Sequence, residues 1–421
     1  MPRAGAAMEV SMWENFLDRV LRRIVVDGTL TVTMPDGTVR TYGSGHGIES
    51  SVALTDPGIL RRLCLSPVLA LGEGYMDGSI EVREGGLYDF VALLVRNRER
   101  HGMPGWFALG HKLRNAARRM VQRNTPLSAR RNVAHHYDIS DDLYRLFLDA
   151  DMQYSCAYFA RPDMTLEEAQ EAKKAHIARK LMIEPGMRVL DIGCGWGGMA
   201  LTLARDFGAH VTGVTLSSNQ HRTATERAAA EGLSGQTDFR LKDYRDVTDR
   251  FDRIVSVGML EHVGLPQFPV YFGKVHELLR DDGVALIHTI GLTSPPSPTS
   301  PWIAKYIFPG GYVPALSELA RPIEAAGLWT ADLEVLRGHY GPTLHHWSQR
   351  FEAQADKVEK MYDARFVRMW RFYLVACEIA FEEQRQAVFQ LQLSRRQYAV
   401  PTTRDYLYRG ESREEYAQAA Q

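Results

Sequence analysis

Two places in this sequence set chemically capable residues where a strand-like run stops. The first is SVGMLEHVG (256–264), where the apolar run FDRIVSVGML ends at Glu261 and His262. A carboxylate beside an imidazole suits proton transfer at a catalytic edge; more plainly, it suits the first turn of a helix, which favours an acid. The second is VLDIGCGWGG (189–198), whose Gly193-x-Gly195-x-x-Gly198 formally matches a dinucleotide-binding loop. Asp191, two residues before the first glycine, would set a negative charge against a pyrophosphate. GVTLSSNQ (213–220) offers no acid for a ribose 2′-hydroxyl either. Both features argue against a nicotinamide dehydrogenase, and a cationic cofactor without a phosphate removes the first objection.

The elements that must position these residues are readable from periodicity. Strand-like runs RVLDI (188–192), HVTGV (210–214), DFRLK (238–242), DRIVSV (252–257) and VALIHTI (284–290) alternate with helix-like runs at 197–207, 217–231 and 267–279. Such alternation predicts a parallel sheet with helices on both faces and ligands at the carboxyl ends of the strands. Glu261 then stands at the ligand edge and His288 in the neighbouring strand, although a histidine within VALIHTIG is more commonly a satisfied core residue. Upstream, MWENFLDRVLRRIV (12–25) has helical spacing, and LTVTMPDGTVRTY (30–42) alternates about a Pro-Asp-Gly turn as a hairpin does. The expected fold class is α/β. A small mixed α+β N-terminal domain (1–98) and a basic linker (99–134) precede a doubly wound Rossmann-like sheet domain (135–421). The tail from about Pro342 to Leu393 reads as long amphipathic helix.

The chain has 421 residues, 45% hydrophobic and 24% charged, with formal net charge −1, a balance that gives no whole-chain attraction to nucleic acid. Cys64, Cys156, Cys194 and Cys377 lie far apart and form no Cys-x-x-Cys, so a disulfide framework is not expected and a reducing cytosol fits. The N-terminal MPRAGAAMEVSMWENFLDRV does not read as a secretion signal. No run approaches the ~18 apolar residues of a membrane span. His135-His136 and His345-His346 look like metal ligands, but adjacent residues on a helix or strand rarely face one ion, and no metal is expected. Cys156 has no residue placed as its base. His262 is read as structural.

Between Glu99 and Asp138 there is no acid, while Arg100, Lys112, Arg114, Arg118, Arg119, Arg123, Arg130 and Arg131 are basic. On a helical wheel Trp106, Leu109, Leu113, Ala117, Met120 and Val121 share a face with basic shoulders. That pattern suits an anionic membrane surface and equally a solvated interdomain helix.

VLDIGCGWGG resembles motif I of class I S-adenosylmethionine methyltransferases. GVTLSSNQ, YSCAYF (154–159), MLEHVG (259–264), IHTIG (287–291) and FPGGYVPALSE (308–318), taken together, resemble the cyclopropane-fatty-acyl-phospholipid synthase family. HHYDISDDLYRLFLD (135–149) and the tail MWRFYLVACEIAFEEQRQAVFQLQLSR (369–395) extend the likeness over about 130–410. The resemblance implies a Rossmann-like methyltransferase fold that holds S-adenosylmethionine with Tyr154, Ser155, Asp191, Gly193, Gly195, Thr215, Leu216, Gln220, Tyr244 and Arg245. Gln220 would supply an amide where other methyltransferases have the ribose carboxylate.

The reaction implied is methyl transfer to the double bond of an unsaturated phospholipid acyl chain, followed by deprotonation to a cyclopropane. The family is understood to hold a bicarbonate ion as the base. The matching positions here are Cys156 and Ile290, acting through backbone groups, and Glu261, His288 and Tyr340, acting through side chains. A phospholipid bilayer as partner, peripheral attachment to the inner face of the membrane from the cytoplasm, and a homodimer are implied as well. Among Tyr158, Phe159, Trp302, Tyr306, Phe308, Tyr312 and Trp347, one or two are expected to face the acyl chain and the rest to be core. The proline-rich segment 294–314 is expected to act as a lid, with a structural crossover as the plainer alternative.

Two departures fall near the reactive region. Ser140-Asp141 stand where family members commonly show Gly-Asn, and Leu260 precedes Glu261 where an aromatic is usual. Relatives on the same scaffold make methyl-branched or methylene-bearing chains when the cation loses a different proton, so ring, branch and methylene remain the candidate products. A non-catalytic lipid-binding scaffold is the alternative from another class, opposed by the full set of site residues.

Overall fold

The computed structural model describes residues 4–102, Gly105, Asn115 and 140–408. Most of the basic segment and the His135-His136 pair lie outside the described residues. The chain divides into two compact units: residues 1–118, 298–308 and 344–386 form one, and residues 119–297, 309–343 and 387–421 the other.

In the first unit α1 (Ala4–Ile24) leads into the hairpin of β1 (Thr29–Thr33) and β2 (Val39–Gly43), paired from Thr29↔Gly43 to Thr33↔Val39. Its turn is set by Asp36, whose carboxylate accepts the Thr38 N–H at 2.8 Å, as the Pro-Asp-Gly sequence predicts. β3 (Glu49–Leu54) runs parallel to β1. After α2 (Gly58–Leu65) and α3 (Pro67–Asp77), β4 (Ile80–Glu84) closes a sheet of order β2-β1-β3-β4. α4 (Gly86–His101) is fastened by one buried amide: Asn97 accepts the N–H groups of Val26 and Asp27, both at 2.8 Å, and donates to the Asp27 and Leu93 carbonyls.

The second unit begins with α5 (Asp141–Phe147) and α6 (Leu166–Leu181). α6 starts at a capping box, in which Thr165 and Glu168 satisfy each other's backbone N–H. β5 (Arg188–Ile192), α7 (Gly198–Phe207), β6 (His210–Thr215), α8 (Ser218–Ala230), β7 (Thr237–Leu241), β8 (Phe251–Val257), α9 (Phe268–Leu278) and β9 (Leu279–Leu292) follow the expected alternation. With β10 (Trp329–Leu336) and β11 (Gln386–Ser394) from further along the chain, the sheet order is β10-β11-β9-β8-β5-β6-β7, with β5 to β9 parallel. The chain runs from β5 outward to β7, then returns to β8 on the other side of β5, so the crevice lies at the β5/β8 switch point.

The strands are apolar on both faces because both faces are covered. Leu190, Ile192, Ile254, Ala285 and Ile287 pack with Phe268, Tyr271, Phe272 and Val275 of α9, while Val189, Val211, Val255, Val284 and Leu286 pack with Ile177, Leu181, Leu201 and Leu203 of α6 and α7. Each such buried side chain contributes ~1.5–3 kcal/mol, which anchors the strand ends that carry the chemistry.

Downstream, α10 (Pro301–Tyr306) falls in the first unit, where Trp302 is buried against Gly72: a Cβ there would meet the indole at 2.4 Å. The second unit resumes with α11 (Leu316–Ala325) and β10 (Trp329–Leu336). α12 (Tyr340–Glu352) begins in the second unit and ends in the first, followed by α13 (Ala355–Met361) and α14 (Ala364–Glu383). α14 packs on α3 and α4. The late helices therefore cluster with the N-terminal elements, although they follow the sheet domain in sequence.

One element differs in type from its sequence reading. The helix expected to run to Leu393 stops at Glu383, and β11 (Gln386–Ser394) is a strand antiparallel to β10. Its alternating QAVFQLQLS is a period-2 pattern, buried because the strand is inserted between β9 and β10. Among the described residues, no helix is long and apolar enough to cross a membrane.

Candidate active site

The glycine loop joins β5 to α7 at the centre of the sheet. Gly193 has φ +82° and its Cβ would meet the Met259 side chain at 2.9 Å, so the position requires glycine twice over. The N–H groups of Gly193 and Cys194 bond the Val214 carbonyl at 2.9 and 3.1 Å, which fixes the loop against β6. Asp191, at the end of β5, is buried and its Oδ2 has no partner. Burial pushes its carboxyl up to about 7, opposed by the Lys173 ammonium.

At the end of β6 the Thr215 hydroxyl donates to Gln220 Oε1 at 2.8 Å, presenting Gln220 at the start of α8 beside Leu216. After β7, Arg245 is held by two bonds to the Asp243 carboxylate, at 2.8 and 2.5 Å, and lies over the Tyr244 ring. The ends of three adjacent strands thus carry Asp191, Thr215, Leu216, Gln220, Tyr244 and Arg245.

Tyr154 joins a ring cluster with Tyr144 at 5.1 Å and Phe147 at 6.4 Å; Trp196 of the glycine loop lies 5.1 Å from Tyr144. α5 is tied to the same loop by Asp141. Its carboxylate accepts from Trp196 Nε1 at 2.8 Å, Asn219 Nδ2 at 2.5 Å and Thr223 Oγ1 at 3.0 Å. Ser140 caps α5, its hydroxyl accepting the Asp142 N–H at 3.0 Å. The Ser140-Asp141 departure is therefore a cap plus a three-donor anchor.

On the other side of the switch point, Glu261 sits in a short turn (Leu260–His262) after β8. Its Oε1 accepts the Ile290 N–H at 2.6 Å, its carbonyl accepts the Tyr312 N–H at 2.9 Å, and its Oε2 is buried without a partner. Burial pushes this carboxyl up to about 7; the Ile290 N–H pulls the other way. His288, two residues before Ile290 on β9, has Nδ1 3.2 Å from Gln390 Nε2 of β11. Burial pushes its imidazole well below the usual range, so the ring is neutral. With the Gln390 amide donating to Nδ1, the ring proton is on Nε2, which has no partner.

Cys156 and Tyr340 lie on segments tied to each other by two backbone N–H groups and two side chains. The Ala157 N–H donates to the Thr343 hydroxyl at 3.1 Å and the Phe159 N–H to His339 Nδ1 at 3.1 Å, lacing 156–159 to the start of α12, where Tyr340 is the first residue. Cys156 is buried with its thiol pushed up, the opposite of what a nucleophile needs. Of the expected aromatics, Tyr158 is stacked between His176 and His339, at 4.4 and 4.9 Å, and Tyr312 is buried with its hydroxyl bonded to Glu318 at 2.6 Å. Trp302 and Trp347 are core of the first unit. His262 is half-buried and burial pushes it down to about 4. His345 bonds Glu378 at 2.9 Å.

Sequence reasoning missed Gln390, Thr343, His339 and Lys173. Gln390 lay in a stretch read as helix. The other three carry no motif, and only tertiary structure brings them to the site.

The family described as mycolic acid cyclopropane synthetase matches residues 124–391, and a domain family of unknown function matches residues 16–102. The chain is 39% identical over 346 residues to the cyclopropane-fatty-acyl-phospholipid synthase of Escherichia coli K12, covering 82% of this chain and 88% of that protein. It is 36% identical over 382 residues to a probable fatty acid methyltransferase of Pseudomonas putida, covering 87% and 94%. A mycolic acid cyclopropane synthase crystallised with SAH and CTAB superposes with a TM-score of 0.60 at 34% identity, covering 63% of this chain and 97% of that one. The chain belongs to the mycolic acid cyclopropane synthetase family and is an S-adenosylmethionine-dependent C-methyltransferase of unsaturated acyl chains.

Proposed function

We propose that this enzyme builds a cyclopropane ring on an unsaturated acyl chain of a membrane phospholipid, with Glu261, His288, Tyr340, Cys156 and Ile290 forming a seat for bicarbonate. The observation that carries the seat is the pair of buried, unpartnered polar atoms, Glu261 Oε2 and His288 Nε2, on neighbouring strand ends. His288 is neutral and offers an N–H; Glu261, with its carboxyl near 7, offers an O–H when protonated or accepts one when ionised. Such a donor set suits a small oxyanion, whereas two fixed carboxylates would repel it.

The bound groups supply an electrophilic methyl and a base. Bound S-adenosylmethionine would supply the methyl group, with its sulfur keeping the bonding pair, and a base held by Glu261, His288 and Tyr340 would take the proton whose loss closes the ring. In this reading Tyr154, Ser155, Gly193, Gly195, Thr215, Leu216, Gln220, Tyr244 and Arg245 bind and orient the cofactor. Glu261 Oε1 is held by the Ile290 N–H, so Oε2 keeps one direction. Gln390 fixes the tautomer of His288. Leu260, next to Glu261, and Tyr312, whose N–H bonds the Glu261 carbonyl, are buried and keep the surroundings of this carboxyl apolar.

The basic segment 100–131 supports attachment to anionic lipid at the inner face, at about 1 kcal/mol for each Lys or Arg near the surface. A homodimer follows from the family resemblance and is checked by sedimentation. The deciding experiment is mass spectrometry of acyl chains after incubation with S-adenosylmethionine and monounsaturated phospholipid vesicles, with and without removal of dissolved carbon dioxide. A gain of one CH₂ that resists mild hydrogenation, restored by added bicarbonate, is the expected result. A reducible product overturns the ring, and indifference to bicarbonate overturns the seat.

A further inference from the structure

The third glycine of Gly193-x-Gly195-x-x-Gly198 serves a purpose that the tight turn of the loop does not explain. Gly193, Gly195 and Gly197 all have positive φ, but Gly198, the first residue of α7, does not, so its backbone does not require glycine. Space requires it instead. A Cβ at this position would meet the Gln153 amide and the Asp151 carboxylate, with Asp151 Oδ2 2.5 Å from where it would stand. The chain just before Tyr154 and Ser155 therefore rests directly on the start of α7, beside the glycine loop.

Charged groups hold it there. Arg227 of α8 donates through one guanidinium nitrogen to the Trp196 carbonyl of the glycine loop at 2.9 Å and to the Asp151 carbonyl at 3.3 Å, and through another to Asp151 Oδ1. A single planar group thus bridges the two segments. Asp151 Oδ2 accepts from Lys174 Nζ at 2.6 Å and from Gln153 Nε2 at 2.9 Å. From α6, Lys173 donates to Gln153 Oε1 at 2.5 Å and to Ser155 Oγ at 2.9 Å, and Gln170 Nε2 donates to the carbonyls of the same two residues, at 3.3 and 2.9 Å. Met152, between Asp151 and Gln153, has φ +58°, a left-handed conformation unfavourable for any residue with a Cβ. Such a stretch keeps its shape only through contacts from outside it. The Arg227 and Asp151 side chains are 24% and 18% exposed, so breaking their bridge leaves both charges poorly hydrated.

We propose that Arg227 and Asp151 are positioning residues for the cofactor: they pin the 151–155 segment to the glycine loop, and Gly198 is glycine so that the pin can close. The inference rests on S-adenosylmethionine binding between that segment and the loop, at Tyr154, Ser155, Gly193 and Gly195. With the pin intact, both sides of the site are in register before the cofactor arrives. Without it only a fraction of the molecules are in register, and the apparent dissociation constant rises by the inverse of that fraction. Saturating cofactor restores the register, so the loss falls on affinity and not on turnover. An ammonium in place of the guanidinium keeps the charge but not the fork that reaches both segments.

The test is titration calorimetry of S-adenosylmethionine binding, paired with kcat and the cofactor KM on monounsaturated phospholipid vesicles. The proteins are the wild type, Arg227→Met, Arg227→Lys, Asp151→Asn and Gly198→Ala. Arg227→Gln is used if the methionine variant fails to show a cooperative melt. Arg227→Met, Asp151→Asn and Gly198→Ala are each expected to raise Kd and KM about tenfold, with kcat within about twofold of the wild type. Arg227→Lys is expected to recover part of this, leaving a loss of about threefold. Because both residues act on one bridge, the Arg227→Met, Asp151→Asn double variant should bind at most about twofold more weakly than either single variant. Unchanged Kd in Arg227→Met and Gly198→Ala overturns the proposal, as does a fall in kcat at unchanged KM or a double variant whose losses multiply. Failure of the underlying reading looks different: the wild type binds no cofactor, or Tyr154→Ala binds as the wild type does, and the proposal falls with it.

Discussion

Replacing Glu261 with Gln separates the charge of this residue from its hydrogen bond. The amide oxygen still accepts the Ile290 N–H that Glu261 Oε1 accepts at 2.6 Å, so the turn after β8 keeps its tether. What is lost is a buried carboxyl whose pKa rises from 4.5 to about 7, chiefly through burial. Because the folded value is the higher one, the folded state holds the proton more tightly. The resulting stabilisation is complete below the unfolded value of 4.5 and is lost as pH rises through about 7. At about 1.36 kcal/mol per unit the whole difference amounts to ~3 kcal/mol, most of it appearing between pH 5 and 8. Glu261→Gln does not titrate and avoids this loss.

Urea unfolding of both proteins in the absence of ligands, from pH 5 to 8.5, measures the effect. The variant is expected to gain on the wild type by ~2–3 kcal/mol across that range. Turnover falls about 10²–10⁴-fold at pH 7.5 if the same carboxyl assists the base. A stability difference that stays constant with pH would refute the reasoning, since it would mean that Glu261 is not held against its charge by burial. Unchanged turnover would remove it from the mechanism while leaving the stability argument intact.

Three further outcomes follow from the geometry. Asp141→Ala leaves the Trp196, Asn219 and Thr223 donors without their acceptor, which costs ~2–4 kcal/mol in unfolding free energy and weakens S-adenosylmethionine binding in calorimetry; an unchanged melting curve would deny the anchor. Cys156, buried with a raised thiol pKa, is expected to react with iodoacetamide at least about 10²-fold more slowly in the native than in the denatured protein, read by peptide mass spectrometry. Gly72→Val drives a side chain into the Trp302 indole, 2.4 Å from where its Cβ would stand. It should lower stability by ~1–3 kcal/mol or more, visible as a lower urea midpoint.

What could be read from the sequence follows the range over which each feature is determined. The parallel strands were legible because burial on both faces writes continuous apolar runs such as VALI and RIVSV into the chain. Gly193 and Asp191 were legible because a tight strand-to-helix turn is a local problem with few residue solutions. The boundary between α14 and β11 was not, and the physical reason is visible. The chain leaves the helix through Arg385 at φ +58°, a left-handed conformation usually marked by glycine. With no glycine or proline there, EEQRQAVFQLQLS reads on as helix.

The supporting residues were hidden for a different reason. Gln390 meets His288 across 102 residues, and Thr343 meets the Ala157 N–H across 186. No local pattern encodes such partnerships, because they exist only once β11 is inserted beside β9 and α12 reaches the 156–159 segment. Yet β11 does carry a trace of them. Gln390, Gln392 and Ser394 are 0% exposed and alternate with Phe389, Leu391 and Leu393. A strand that buries amides on one face needs partners for them on that face, and here they are His288, the Lys180 carbonyl and the Tyr406 hydroxyl. Polar alternation within an otherwise apolar run therefore marks the side of the sheet on which a polar site is being held, even where the partners themselves cannot be named in advance.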